Sequence, residues 1–308
     1  MKFLTKLIGS SCMVPVFIFG ISAYERTRIK REPYDIFSPN LPGEFNGVKV
    51  VFLSDLHNAR FGKENERLIR AIREEDPDYI LVGGDMFVAK PGMTTDIASS
   101  LLIKLAKEFP VICANGNHEF RMKIYRYIYG TQYDDYVLRL REAGITYLEN
   151  KTITLERNGA SIYLSGLEIG RIYYQRGVVE PMDDSYLELL LGKKKAKNFH
   201  ILLAHNPVYF PEYADWGADL VLSGHNHGGL IRIPHFGGLI SPQLRIFPEY
   251  DAGYYEKSGS RMIISRGLGT HTFHIRVHNQ PELSVIRLYR MSSSEGSEGA
   301  DEKIEQME

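Results

Sequence analysis

Five short, mostly apolar runs in this chain each end in a cluster of polar residues that can bind metal or phosphate. The runs are residues 48–54, 79–82, 111–114, 199–204 and 219–222. The clusters are Ser54-Asp55-Leu56-His57, Gly83-Gly84-Asp85, Gly116-Asn117-His118-Glu119, Ala204-His205-Asn206 and Gly224-His225-Asn226-His227-Gly228. Runs of this length and composition read as buried strands. The stretches 64–75, 96–108 and 133–143 read as helices, with Leu68, Ile69 and Ile72 at helical spacing on the first. A strand–helix–strand–helix–strand order implies parallel strands in at least part of a sheet. Ligands in open α/β sheets gather outside the carboxyl ends of the strands. Five loops far apart in sequence can therefore meet at one point.

The rest of the chain sorts around this pattern. After Gly144 the texture is strand-rich, with runs at 152–156 and 161–165 flanking Arg157-Asn158-Gly159-Ala160, whose Asn-Gly is a hairpin signal. Further strands are expected at 229–233, 262–265 and 283–288. Residues 26–44 hold three prolines and no periodic pattern, so they read as a linker, and residues 45–290 read as the globular domain. The tail, residues 291–308, is rich in Ser, Gly and Glu and reads as disordered. It carries six acidic residues against Lys303 alone, so the remaining chain balances near +4 rather than the −1 of the whole. That mild positive balance suits an anionic substrate or a lipid surface. It is too small for nucleic acid, and the only basic run, Lys193-Lys194-Lys195, adds little. Two cysteines, Cys12 and Cys113, exclude a disulfide framework.

Residues 7–24 are uncharged, with Lys2 and Lys6 before them and Arg26, Arg28, Lys30 and Arg31 after. The segment is long enough to span a bilayer, and Ile21-Ser22-Ala23 makes a poor signal cleavage site. Residues 1–25 therefore read as an uncleaved, single-pass anchor that places the protein at the cell membrane. The basic residues that follow favour a cytoplasmic catalytic domain, while the two lysines before the segment pull the other way.

Each cluster alone has an ordinary explanation. Asp-x-His and Gly-Gly-Asp occur as turns, and a lone His205 reads more readily as a satisfied histidine than as a ligand. Their conjunction, in order, at five strand ends argues against that. Four imidazoles, two carboxylates and one amide form a nitrogen/oxygen shell suited to Mn, Fe or Zn, with no soft sulfur donor.

The sequence resembles the calcineurin-like metallophosphoesterase superfamily, whose pattern runs D-x-H, G-D, G-N-H-[D/E], H and G-H-x-H. The resemblance covers roughly residues 45–290 and looks closest to a membrane-associated bacterial branch that includes UDP-2,3-diacylglucosamine pyrophosphohydrolase-like phosphodiesterases. Gly224 through Gly229 with Ile231-Arg232-Ile233-Pro234, Ser265-Arg266-Gly267-Leu268-Gly269, and Phe273-His274-Ile275-Arg276 carry it. His274 stands where proline is usual in that branch, and Gln280 where arginine is usual. The implied fold is α+β, a four-layer α/β/β/α sandwich of two mixed sheets, here with an N-terminal transmembrane helix.

The resemblance further implies two divalent metal ions. Asp55, His57 and His227 would hold the first, and Asn117, His205 and His225 the second, with Asp85 bridging. His118 is expected to donate a hydrogen bond or proton to the substrate, with Glu119 orienting it. Arg60 and Arg276 are candidates to clamp a phosphate oxygen, and His271 and His274 lie in a late loop that can reach the site. Ordinary loop residues remain an equal reading for all four. The tyrosine-rich run from Arg121 to Tyr136 reads as a lid or rim, or as outer-layer packing.

The implied activity is hydrolysis of phosphoester or phosphoanhydride bonds through a metal-activated water. The substrate would be a phosphate-containing small molecule or lipid, lipid-linked or nucleotide-type. A phosphomonoesterase is the alternative within the class, and a non-catalytic metal-dependent scaffold the alternative outside it. A purple acid phosphatase would need a tyrosine where Val88 stands.

Overall fold

Alternation along the central strands sends neighbouring side chains into two different cores. On the strand Lys49–Leu53, Val51 and Leu53 pack outward under helices, while Val50 and Phe52 face a second sheet. The strand His200–Ala204 does the same in the other sheet. Its Ile201 and Leu203 join Phe52 in the shared core, while Leu202 and Ala204 turn to the opposite helical layer. A fully buried side chain of this size contributes roughly 1.5–3 kcal/mol. The strands are thus apolar on both faces, which is why they appear in the sequence as continuous runs rather than alternations.

The computed structural model describes residues 20–194, 198–229, 232–233, 236–240, 246–270 and 274–291. One sheet runs, in spatial order, β1 (Lys30–Ser38), β14 (Glu282–Arg290), β2 (Lys49–Leu53), β3 (Tyr79–Val82), β4 (Val111–Ala114) and β5 (Thr146–Leu148). The other runs β12 (Gly253–Lys257), β13 (Ser260–Ile264), β9 (Leu220–Ser223), β8 (His200–Ala204), β7 (Ala160–Leu167) and β6 (Lys151–Arg157). Both are mixed: β2 through β5 run parallel beside an antiparallel β14, and β7, β8, β9 and β13 run parallel between antiparallel edges. A two-residue pair, β10 (Arg232–Ile233) with β11 (Gly237–Gly238), stands apart.

Helices α1 (Glu66–Glu75), α2 (Asp96–Ala106), α3 (Asn117–Ile124), α4 (Arg126–Tyr129) and α5 (Gln132–Glu142) cover the first sheet. Helices α6 (Tyr186–Leu191) and α7 (Phe210–Trp216) cover the second. The order helix, sheet, sheet, helix is the expected one. The hairpin β6–β7 closes at Arg157↔Ala160, with Asn158 and Gly159 at φ 49° and 86° as a two-residue turn requires.

Two expectations change near the ends of the chain, and two others fall largely outside the described residues. The presumed linker carries the nine-residue strand β1, paired in parallel with β14 and burying Ile36 in the inter-sheet core. Pro33 and the flanking charges hide its alternation in the sequence, and an edge strand tolerates the proline. Among the described residues no helix is long and apolar enough to cross a membrane. The expected anchor falls mostly at residues 1–19, outside the described residues. Its last part, residues 20–25, is a helical turn with Ser22 and Glu25 buried against the domain. The boundary at residue 25 therefore cuts into packed structure. The acidic tail from residue 292 also lies outside the described residues.

Candidate metal and catalytic site

The carboxyl ends of β2, β3 and β4 lie side by side in one sheet, and those of β8 and β9 in the other. The loops leaving these ends are tied together through the backbone. Asp55 N–H donates to Gly84 O (3.0 Å), His57 N–H to Asp85 O (3.1 Å) and Gly224 N–H to His205 O (3.1 Å). The turns are tight enough that Asp55, His57, Asp85, His225 and His227 all take positive φ, between 46° and 68°. For residues with a side chain this costs about 1–2 kcal/mol each, and such strain persists where surrounding bonds over-determine it. Glycine is required beside them. A Cβ on Gly84 would fall 2.0 Å from Gly116 N, and one on Gly224 would fall 2.2 Å from Asp55 Oδ2.

Three groups of side chains here can each hold a metal ion: Asp55, His57 and His227; His57, Asp85 and His118; and Asp85, His205 and His225. Within each group the donor atoms lie within 4.8 Å of one another, and all of these residues are buried. His57 Nε2 is 3.1 Å from His227 Nε2, and His227 Nε2 is 3.3 Å from Asp55 Oδ1. His205 Nε2 is 3.2 Å from Asp85 Oδ2.

Hydrogen bonds from the other ring nitrogens decide which way these imidazoles face. His205 Nδ1 meets Gly83 O at 2.8 Å and His227 Nδ1 meets Gly269 O at 3.2 Å, so both Nδ1 atoms carry the proton. In the neutral form each ring turns an Nε2 lone pair toward a carboxylate, an arrangement that calls for a cation, proton or metal ion, between them. Backbone carbonyls that fix the tautomer of a metal-binding histidine are a common second-layer device. Two further donors fit the same requirement: Asn117 Oδ1 and His225 Nε2 are buried and have no hydrogen-bond partner among the described residues. The residues present therefore suit divalent metal of nitrogen/oxygen preference.

The charges agree. Burial pushes the Asp55 carboxyl upward, but the His227 and His205 imidazoles and a hydrogen bond with His57 outweigh it and hold the group ionised. Asp85 is likewise held well below the usual range against its burial, chiefly by His205 and His118. Burial opposes a proton on His205, but Asp85 and Asp55 carry it up to about 10, so without a metal the two carboxylates draw a proton onto the ring where a metal ion would otherwise stand. His225 is pushed down to about 3 by burial and by His205.

His118 differs from the other four imidazoles. Its Nδ1 accepts the Ala89 N–H at 2.8 Å, which leaves the neutral ring with its proton on Nε2, 4.0 Å from Asp85 Oδ2. That nitrogen offers a proton rather than a lone pair, so the group of His57, Asp85 and His118 fits a metal ion less well than the other two. Its backbone N–H also holds Asp85 Oδ1 at 2.8 Å. The orienting partner is thus Ala89, not Glu119 as the sequence suggested. Glu119 is turned into the protein, where its carboxylate accepts from Asp85 N (2.8 Å), Met86 N (2.9 Å) and Gly116 N (3.0 Å). Burial, with Asp85 nearby, raises its carboxyl to about 7. It clamps the Asp85 turn and reaches no open surface.

Arg276 is also reassigned. Its guanidinium is buried and donates to the carbonyls of Asn279, Arg266, Gly267 and Gly269, so it braces a loop and does not face a substrate. Arg60 is exposed and does not line the cleft beside His118. His274 sits at the surface, paired with Thr270, and His271 lies outside the described residues.

A cleft of about 480 Å³ opens onto Asn117, His118 and His225. Lys90, Arg121, Arg171 and Arg176 line it, and among the described residues no acidic side chain does. Ile124, Tyr125, Tyr127, Ile128 and Tyr174 also line it. The tyrosine-rich run divides between the two readings. Tyr129, Tyr133 and Tyr136 pack under the helices, whereas Tyr125 and Tyr127 line the cleft, Tyr127 with 82% of its surface exposed. Arg171 opens a single 3-10 turn and Arg176 follows it, in a stretch with no motif, so nothing in the sequence marks them.

Residues 48–229 match the calcineurin-like phosphoesterase family. Over 279 residues the chain is 29% identical to the uncharacterized metallophosphoesterase YkuE of Bacillus subtilis, covering 88% of this chain and 89% of the relative. It is 28% identical over 244 residues to the phosphodiesterase YaeI of Escherichia coli, covering 78% and 82%. Among solved structures, a putative 5'-nucleotidase from Staphylococcus aureus aligns at 14% identity with a TM-score of 0.47, over 85% of this chain and 58% of that one. The chain belongs to the calcineurin-like phosphoesterases and is a hydrolase of phosphoester bonds.

Proposed function

We propose that this enzyme cleaves a phosphodiester or phosphoanhydride whose departing half carries a further anionic group. The observation behind this is the cleft beside His118, with four cationic side chains and, among the described residues, no carboxylate. A simple monoester would leave those cations unused. Asp55, His57 and His227 would hold one divalent ion and Asn117, His205 and His225 a second, with Asp85 between them. Divalent metal supplies Lewis acidity there, acidifying water and offsetting charge on phosphoryl oxygens. His118, held by Ala89, presents Nε2–H toward the leaving oxygen. Glu119 and the glycines at 84, 116 and 224 keep the Asp85 and Asp55 turns in place. Lys90, Arg121, Arg171 and Arg176 draw in and orient the anionic half.

The substrate is of nucleotide or lipid-linked type. The lipid-linked form is favoured by Ile124, Tyr127 and Ile128, which stand exposed at the cleft mouth between basic residues. Replacing both Arg171 and Arg176 with Ala should raise KM for a nucleoside diphosphate ester by at least about tenfold, the worth of one or two charge-assisted hydrogen bonds. The rate on bis(p-nitrophenyl) phosphate, which has no second anion, should stay within about twofold on the same grounds. Equal losses on both substrates would remove the anion-cleft reading. Assays with lipid pyrophosphates in mixed micelles separate the two substrate types.

A further inference from the structure

We infer that the helical turn at residues 20–25 is a working part of the metal-holding site, positioning His227 and Asp55 through the 274–279 loop. This rests on the reading that those two residues hold metal.

The connection can be followed atom by atom. The Glu25 carboxylate, buried at the end of the turn, accepts His278 N–H and Asn279 N–H, each at 3.0 Å. Ser22 Oγ accepts Arg276 N–H at 2.9 Å and donates to His274 O at 3.3 Å. Two side chains some 250 positions upstream thus satisfy four backbone groups of a loop that forms no strand or helix of its own. Backbone groups buried without such partners would each cost about 1–3 kcal/mol.

From the loop, two side chains reach the site. Both amide protons of Asn279 Nδ2 are used, on His227 O at 2.7 Å and Gly229 O at 2.6 Å. Arg276 gathers the carbonyls of Arg266, Gly267 and Gly269 at 2.9, 3.0 and 2.7 Å. Gly269 O is the same atom that takes the His227 Nδ1 proton, and Gly269 N–H donates to Asp55 O at 2.6 Å. Gly267 lies so close that a Cβ there would sit 2.7 Å from Asp55 Cβ. Moving the loop therefore moves the carbonyl that sets the His227 tautomer and the wall behind Asp55. Partners one shell outside the ligands commonly tune metal affinity by 10–100-fold.

The experiment measures affinity for Mn²⁺ and Zn²⁺ by chelator competition, with kcat and KM on bis(p-nitrophenyl) phosphate, in full-length protein. The variants are Glu25→Ala, the milder Glu25→Gln, and Leu155→Ala on the far edge of the second sheet, with Asp85→Asn as reference. Glu25→Ala should weaken metal affinity by about tenfold or more and lower kcat at sub-saturating metal, with KM unchanged. Glu25→Gln, which keeps one acceptor, should fall between. Deleting residues 1–19 should preserve metal affinity, whereas deleting 1–25 should reproduce the Glu25→Ala loss. Metal affinity at the wild-type level in both Glu25 variants, while Asp85→Asn loses metal, overturns the inference and leaves the metal site standing. So does an equal loss in Leu155→Ala at matched Tm, which would make the effect general destabilisation. If Asp85→Asn also keeps its metal, the site assignment and the inference fall together.

Discussion

His118 and Glu119 are neighbours in one motif, yet they face opposite ways. His118 opens on the cleft with its proton on Nε2, and Glu119 points inward onto three backbone N–H groups. His118→Asn should leave metal content near wild type and lower kcat by roughly 10²–10⁴, the usual worth of a general acid. Steady-state rates across a series of aryl leaving groups check this. The deficit should shrink as the leaving group improves, and a constant deficit would indicate charge stabilisation instead of proton donation. At this scale the sequence identified the histidines, aspartates and Asn117 that meet at the site, because ligand types and strand-end positions are local properties. It did not give the roles of Glu119 or Arg276. Glu119 reaches the Asp85 and Met86 N–H groups more than thirty positions upstream, and Arg276 serves carbonyls within ten positions that only the fold of its loop gathers.

Among the elements, β2, β3, β4, β8 and β9 were legible because two-sided burial writes itself as an apolar run. The strand β1 was not, because Pro33 and the surrounding charges break its pattern and the pairing that stabilises it comes from β14 at the other end of the domain. If β1 belongs to the core, Ile36→Ala should destabilise by about 2–5 kcal/mol, as for other buried Ile-to-Ala changes. A true linker residue would change stability by less than about 0.5 kcal/mol. Urea denaturation decides between these. The packing of residues 20–25 was not legible either. Residues 20–24 continue the uncharged segment that begins at Leu7, and only the partners of Ser22 and Glu25 show that this end of it packs on the enzyme.

For the whole molecule, acid stability carries a signature away from the metal site. His200 lies between the second sheet and Trp216, with its Nε2 on Ser165 Oγ at 2.7 Å, and burial, with Lys194 nearby, pushes it down to about 4. The unfolded chain protonates this residue near 6.5. Between those values the unfolded state binds more protons, so folding weakens as the pH falls from about 6.5 toward 4. His200→Gln should flatten that limb of the stability curve by roughly 1–3 kcal/mol, measured by urea unfolding from pH 7 to 4. An unchanged slope would place the acid sensitivity elsewhere.

On the proposed reading, seven side chains delivered by five strand ends of two sheets hold the divalent metal on which hydrolysis depends. Elemental analysis of purified wild type and Asp85→Asn, run beside their rates on bis(p-nitrophenyl) phosphate, decides whether they do. The wild type should carry about two divalent ions per chain, as a paired site requires, and Asp85→Asn should lose most of both metal and rate. Full metal occupancy with undiminished hydrolysis in Asp85→Asn would contradict it.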